Sequence, residues 1–150
     1  MIHPAIPVRA ISIQNPWGWL VASGMKPIEN RSRRTSFRGL VAIHAGLQFD
    51  QEARQALVDN RHPVTGDPLV FLGGMRPGFI EMAMGKMNGG IIGVAEIVDC
   101  VTEHPSPWFV GPYGYVIANA KQVPFIPCPG ELGFFDWRAA IGRHEKRMAA

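Results

Sequence analysis

A single α+β domain, with a curled or closed sheet of mostly antiparallel strands and short helices beside it, is what the 150-residue sequence predicts. Seventeen glycines and thirteen prolines cut the chain into short elements, which argues against a bundle of long helices. Strand-like segments recur late in the chain with no helical segment between them, and a doubly wound parallel sheet needs crossover helices there. No internal repeat or linker composition divides the chain. Its length and its 47% hydrophobic residues suit one core spanning residues 1–150.

Residues 8–14 (VRAISIQ) set Val8, Ala10, Ser12 and Gln14 against Arg9, Ile11 and Ile13. That period of two, with β-branched residues on one face, predicts a strand. Asn15-Pro16 then offers an N-cap and a first-turn proline. A helix of about two turns follows through Trp17, Trp19, Leu20 and Val21, with Gly24 as its stop. Lys26 to Arg31 read as extended, because the residue before Pro27 is pushed out of the α region. Residues 39–45 (GLVAIHA) predict a second strand, and Asp50 caps a helix through Glu52, Ala53, Ala56, Leu57 and Val58. His62 to Pro68 are turn chemistry. Beyond them lies a Gly- and Met-rich stretch with one candidate helix, Phe79 to Met84. Asn88-Gly89-Gly90 breaks the chain before IIGVAEIVDCV (91–101), a candidate central strand. YGYVIANAKQV (113–123) predicts a strand with a turn, and ELGFFDWRAA a last strand running into a short polar helix.

Several function classes fall at once. Neither a GxGxxG nor a GxxxxGK[ST] pattern is present, which removes dinucleotide and P-loop readings. Cys100 and Cys128 make no CxxC pair and have no metal-ligand spacing with the five histidines. No metal or organic cofactor is implied. The N-terminal MIHPAIPVRAISIQ lacks an apolar stretch of signal-peptide length, and no segment approaches a membrane span. A soluble, cytoplasmic protein without a membrane partner is the expectation.

Net charge is +3, and the charge is clustered. Lys26, Arg31, Arg33, Arg34 and Arg38 place five of fifteen basic residues within thirteen positions, opposed only by Glu29. Within this stretch Gly24, Lys26, Glu29 and Arg31 form a GxKxxExR pattern between a capped helix and a strand. The flanks are Pro16-Trp17 opening the helix, Glu29-Asn30-Arg31, Arg38-Gly39 before a strand, and Ile43-His44-Ala45 within it. The segment ISIQNPWGWLVASGMKPIENRSRRTSFRGLVAIHAG resembles the core of the ASCH domain family, and IIGVAEIVDC and GPYGYVIANA are similar to that family's later strands. The resemblance covers roughly 9–48 and 89–135, leaving 50–88 as a helical or loop insertion. It implies a PUA-like pseudobarrel with a cleft between helix and barrel mouth. The functions it implies are nucleic-acid binding, transcription coactivation, or amide hydrolysis on N4-acetylcytidine.

The residue types suit such a cleft. A lysine beside a glutamate can hold a phosphate or a base edge, and arginine adds a planar fork for bidentate contacts. Unpaired bases are held by stacking on aromatic faces, which Trp17, Trp19, Phe37 and Tyr113 offer. The expected site is a basic cleft centred on Lys26, Glu29 and Arg31, with Trp17, Arg33, Arg34, Arg38, His44 and Tyr113 around it. Its ligand would be RNA, another single strand, or a modified nucleoside. Each residue also has a plainer role: a surface Lys26–Glu29 pair, a core tryptophan, a solvated arginine face, a hydrogen-bonded His44. Glu96 points either into the cleft or outward. The family's amidases are similar in placing a lysine and a threonine on this motif, whereas Glu29 stands at the threonine's place. A hydrolase, whether amidase or ribonuclease, would then use Glu29 as general base on water and Lys26 to stabilise the oxyanion; for Lys26 itself to be base or nucleophile, its pKa would have to be depressed. A third reading, a protein-binding adaptor, would use the Met-rich 75–87 stretch.

Overall fold

The computed structural model describes residues 6–69 and 87–150. Nine elements run β1 (Arg9–Asn15), α1 (Trp17–Ala22), β2 (Ile28–Arg31), β3 (Gly39–Phe49), α2 (Gln51–Val58), β4 (Gly90–Val101), β5 (Tyr113–Pro127), β6 (Phe134–Asp136) and α3 (Trp137–Ala149) among these residues. The six strands form one sheet in the order β2-β5-β4-β3-β1-β6. Only β1 and β3 are parallel, joined by the crossover that carries α1 and β2. The other pairings are antiparallel. This is a mixed α+β fold whose sheet has two edges, β2 and β6, with no ring of backbone hydrogen bonds closing it among the described residues.

Alternation along the strands sorts side chains into two cores. Ile11 and Ile13 of β1 and Val41, Ile43 and Ala45 of β3 join Trp19, Leu20 and Val21 of α1 in the larger one. Ala10 and Ala42 face the other way, into a smaller core with Ile91, Cys128, Phe135, Trp137 and Ala140 under α3. The two buried faces explain why β3 reads as a nearly continuous apolar run over its first half.

Most predicted elements are present, with shifted ends. Pro16, expected inside α1, sits at its N-cap, while the Asn15 side chain still accepts from Trp19 N at 3.0 Å. Gly24 ends the helix turn at φ +86°, a conformation glycine adopts without strain. Asp50 caps α2 by accepting from Ala53 N at 3.1 Å. β4 pairs with both neighbours and is central as expected. The turn expected inside 113–123 is absent: β5 runs on to Pro127 and absorbs the irregularity in register shifts, with Asn119 at φ +54°. The terminal helix is not short; Asp136 caps thirteen residues, anchored by Trp137 and Ala140. The candidate helix Phe79 to Met84, and all but Met87 of the Met-rich stretch, lie outside the described residues. No described helix is long and apolar enough to cross a membrane.

Candidate functional site

The site grows from the turn after α1. Gly24 lets the chain reverse, Lys26 N bonds back to Leu20 O at 3.1 Å, and Ile117 N bonds to Pro27 O at 2.8 Å, fixing β2 against β5. Ile28 fills the core with no exposed surface. On β2, Glu29 pairs in register with Tyr115 and Arg31 with Tyr113. Asn30 ties down the β4–β5 connection: its Nδ2 donates to Trp108 O at 2.9 Å, and its Oδ1 accepts from Val110 N at 2.8 Å and Gly111 N at 3.1 Å.

Between α1, β2 and α2 lies a cavity of about 580 Å³. Lys26 is only 1% exposed; its Nζ donates to Ile28 O at 2.5 Å and to Glu29 Oε1 at 3.0 Å. The other carboxylate oxygen, Oε2, accepts from Arg31 Nη1 at 3.4 Å. Arg31 Nη1 also reaches Ser12 O on β1 at 3.3 Å, across the gap between opposite ends of the sheet. An ammonium has three donors, and two of those of Lys26 are used in these bonds among the described residues. The Trp17 ring stands 5.6 Å from Lys26 Nζ, and its Nε1 donates to Asp50 Oδ2 at 3.0 Å. Among the described lining residues, two cations (Lys26, Arg31) face three carboxylates (Glu29, Asp50, Glu52), a net charge of −1.

Trp17, Lys26, Glu29 and Arg31 of the predicted set therefore meet in one cavity. The ion pair is buried there, not a surface pair. The other expected site residues lie elsewhere. Arg33 and Arg34 line an adjoining groove that shares Arg31 with the cavity. Arg38 is exposed, donates to Thr35 O and Phe37 O of its own loop, and pairs with Asp99 at 3.6 Å. Tyr113 lies under the Arg34 guanidinium, 5.4 Å from ring centroid to carbon, and lines neither space. His44 is buried on the α3 side of the sheet, because β3 alternation turns it away from the cavity. Its Nε2 donates to Cys128 O at 2.7 Å, so the neutral ring accepts from Ser12 Oγ through Nδ1 at 2.9 Å. Burial holds its pKa below the usual histidine range, with the Cys128 bond opposing. Trp19 is core, Phe37 packs on Phe134, and Glu96 faces outward, accepting from Asn119.

The cavity also contains residues that had no functional reading in the sequence. Asp50 was legible as a helix cap, yet its second oxygen holds Trp17, 33 positions away. Gln14, Glu52, Val64 and Val110 are among the other residues of the wall. Only tertiary packing brings them there, and no local pattern marks them. No described group of three or more histidine, cysteine or acidic side chains is placed to hold a metal ion. No family model matches the chain, and no curated protein matches it.

Proposed function

We propose that the chain is an ASCH-type domain of the PUA-like class, its sheet coiled toward a pseudobarrel, and that its cavity binds a base of RNA or a modified nucleoside without chemical turnover. The coiling is supported by Arg31 of β2 reaching Ser12 O of β1, and by Tyr115 of β5 stacking parallel to Phe134 of β6. One observation carries the binding reading: a buried Lys26–Glu29–Arg31 array lines a cavity walled by Trp17, and no hydroxyl, thiol or imidazole lies among the described lining residues.

Acyl transfer needs a nucleophile with a base to activate it. Here both Glu29 oxygens face a cation, so a catalytic water would compete with Lys26 or Arg31 for the same acceptor. Recognition, by contrast, uses what is present. The third Lys26 N–H and the Arg31 fork donate to a base's carbonyl and ring-nitrogen acceptors, while Asp50 and Glu52 accept from its amino groups. Trp17 supplies an aromatic wall.

The test compares wild type with a Lys26→Met/Glu29→Leu double variant, which leaves neither partner buried alone. Both are incubated with N4-acetylcytidine and with short single-stranded RNA, following product by chromatography and binding by fluorescence anisotropy. Binding without product, lost in the double variant, supports the proposal. Cytidine and acetate released by wild type alone would make the protein a hydrolase.

A further inference from the structure

We infer that the ligand is a base within a strand, not a free nucleoside, and that the groove next to the cavity takes the phosphate of the flanking nucleotide. This rests on the reading of the cavity as a base pocket. The groove encloses about 460 Å³, and three guanidinium groups, Arg31, Arg33 and Arg34, line it with no carboxylate among its described residues. The cavity, with three carboxylates to two cations, repels a phosphodiester where the groove attracts one. Charge is thus segregated as a nucleotide segregates it, with the neutral base on one side and the anion on the other. Arg31 lines both spaces, so a single ligand step from one to the other passes its guanidinium.

Arg31 is tied to Glu29 and Ser12, but the groove's other two arginines are available. Arg33 is exposed and its side chain has neither ion pair nor hydrogen bond among the described residues. Arg34 lies over the Tyr113 ring and its side chain makes no ion pair or hydrogen bond among the described residues, which leaves its five donors free there. Arg38, by contrast, is already paired with Asp99 and belongs to neither space. The loop bearing Arg33 is pinned, since Tyr115 Oη donates to Arg33 O at 2.9 Å. Tyr115 is buried and stacks on Phe134 at 6.2 Å with their planes 8° apart, giving the groove a rigid aromatic floor. At the rim Leu132 is 99% exposed, an apolar side chain placed against a sugar or the next base. Guanidinium groups over aromatic and aliphatic surface are how single strands are held.

Calorimetric titration of the full chain at 50 and 200 mM salt tests this, using wild type and an Arg33→Ser/Arg34→Ser variant. The probes are a short single-stranded RNA, the free nucleosides cytidine and N4-acetylcytidine, and an acidic peptide of the same length as the RNA. The expected result is RNA binding at least about tenfold tighter than either nucleoside, with the variant losing that advantage. Its salt slope should fall by about 1.4, the change for two phosphate contacts on a single strand. Nucleoside binding should be the same in variant and wild type. Nucleoside binding as tight as RNA binding, untouched by salt and by the variant, would overturn the groove and leave the pocket standing. Equal binding of the acidic peptide would overturn it too, as a general anion surface. If wild type binds neither RNA nor nucleoside, the pocket reading fails along with it.

Discussion

At 1% exposure, Lys26 keeps an ammonium out of water because Ile28 O and Glu29 accept from it. Removing one member of such a pair strands the other, which costs about 3–5 kcal/mol, whereas replacing both with apolar residues is often neutral. Arg31 still faces Glu29 Oε2, so Lys26→Met alone should lower stability by about 3 kcal/mol or less in urea denaturation. Adding Glu29→Leu should restore most of it while abolishing binding; no recovery would mean that the pair is not a unit. A second residue-scale prediction concerns pH. Burial, the larger cause, lowers the pKa of both His44 and His62 from 6.5, with the Cys128 bond and Asp67 respectively opposing. Unfolded histidine therefore takes up its proton first as pH falls, so stability holds above about 6.5 and declines below it. The slope is at most about 1.4 kcal/mol per pH unit for each histidine. Denaturation midpoints at pH 7.5 and 5.0 should differ, and His44→Gln should reduce the difference. Spacing places Lys26, Glu29 and Arg31 around one turn and strand, but their meeting in a cleft was expected only through the resemblance of the motif and its flanks to a family. His44 misled because a strand's two faces are indistinguishable when both are buried.

Helix α1 is six residues long, too short to stand without its caps and its packing. Asn15 caps Trp19 N and also donates to Met87 O at 3.1 Å, so it joins α1 to the chain just before β4. Gly93 of β4 admits the helix: a Cβ there would lie 2.7 Å from Ala22 Cβ and 2.7 Å from Lys121 O. Gly93→Ala should push α1 off the sheet at a cost of about 1–3 kcal/mol and weaken ligand binding, read by denaturation and anisotropy together. Asp50 separates two roles at the next element. Asp50→Ser keeps a cap acceptor for α2 but releases Trp17, so stability should stay near wild type while binding weakens. A variant as tight as wild type would remove Trp17 from the pocket. Caps and stops were legible because they act within three or four residues. The continuation of β5 through 113–127 was not, because a mid-strand irregularity at Asn119 has the same local chemistry as a turn.

Across the molecule, a net charge of +3 says little until it is divided in space. The cavity has more carboxylates than cations, and the groove has cations alone among the described residues. The sequence placed both on one basic strip, since spacing along the chain cannot tell that Asp50 and Glu52 fold over Lys26. An α+β fold of mostly antiparallel strands was legible from turn density and strand order; the approach of the sheet's ends, made by Arg31 and Tyr115, was not. The measurement that bears most directly on the proposed base pocket uses the four tryptophans as reporters. Trp17 Nε1 is bonded to Asp50 at the cavity wall, whereas Trp137 Nε1 is bonded to Pro7 O on the α3 side of the sheet. Indole N–H resonances would be followed by ¹⁵N-resolved NMR while single-stranded RNA is added. A saturable shift of the Trp17 signal with Trp137 unmoved is expected; a Trp17 signal that stays in place while the RNA binds would put the ligand elsewhere.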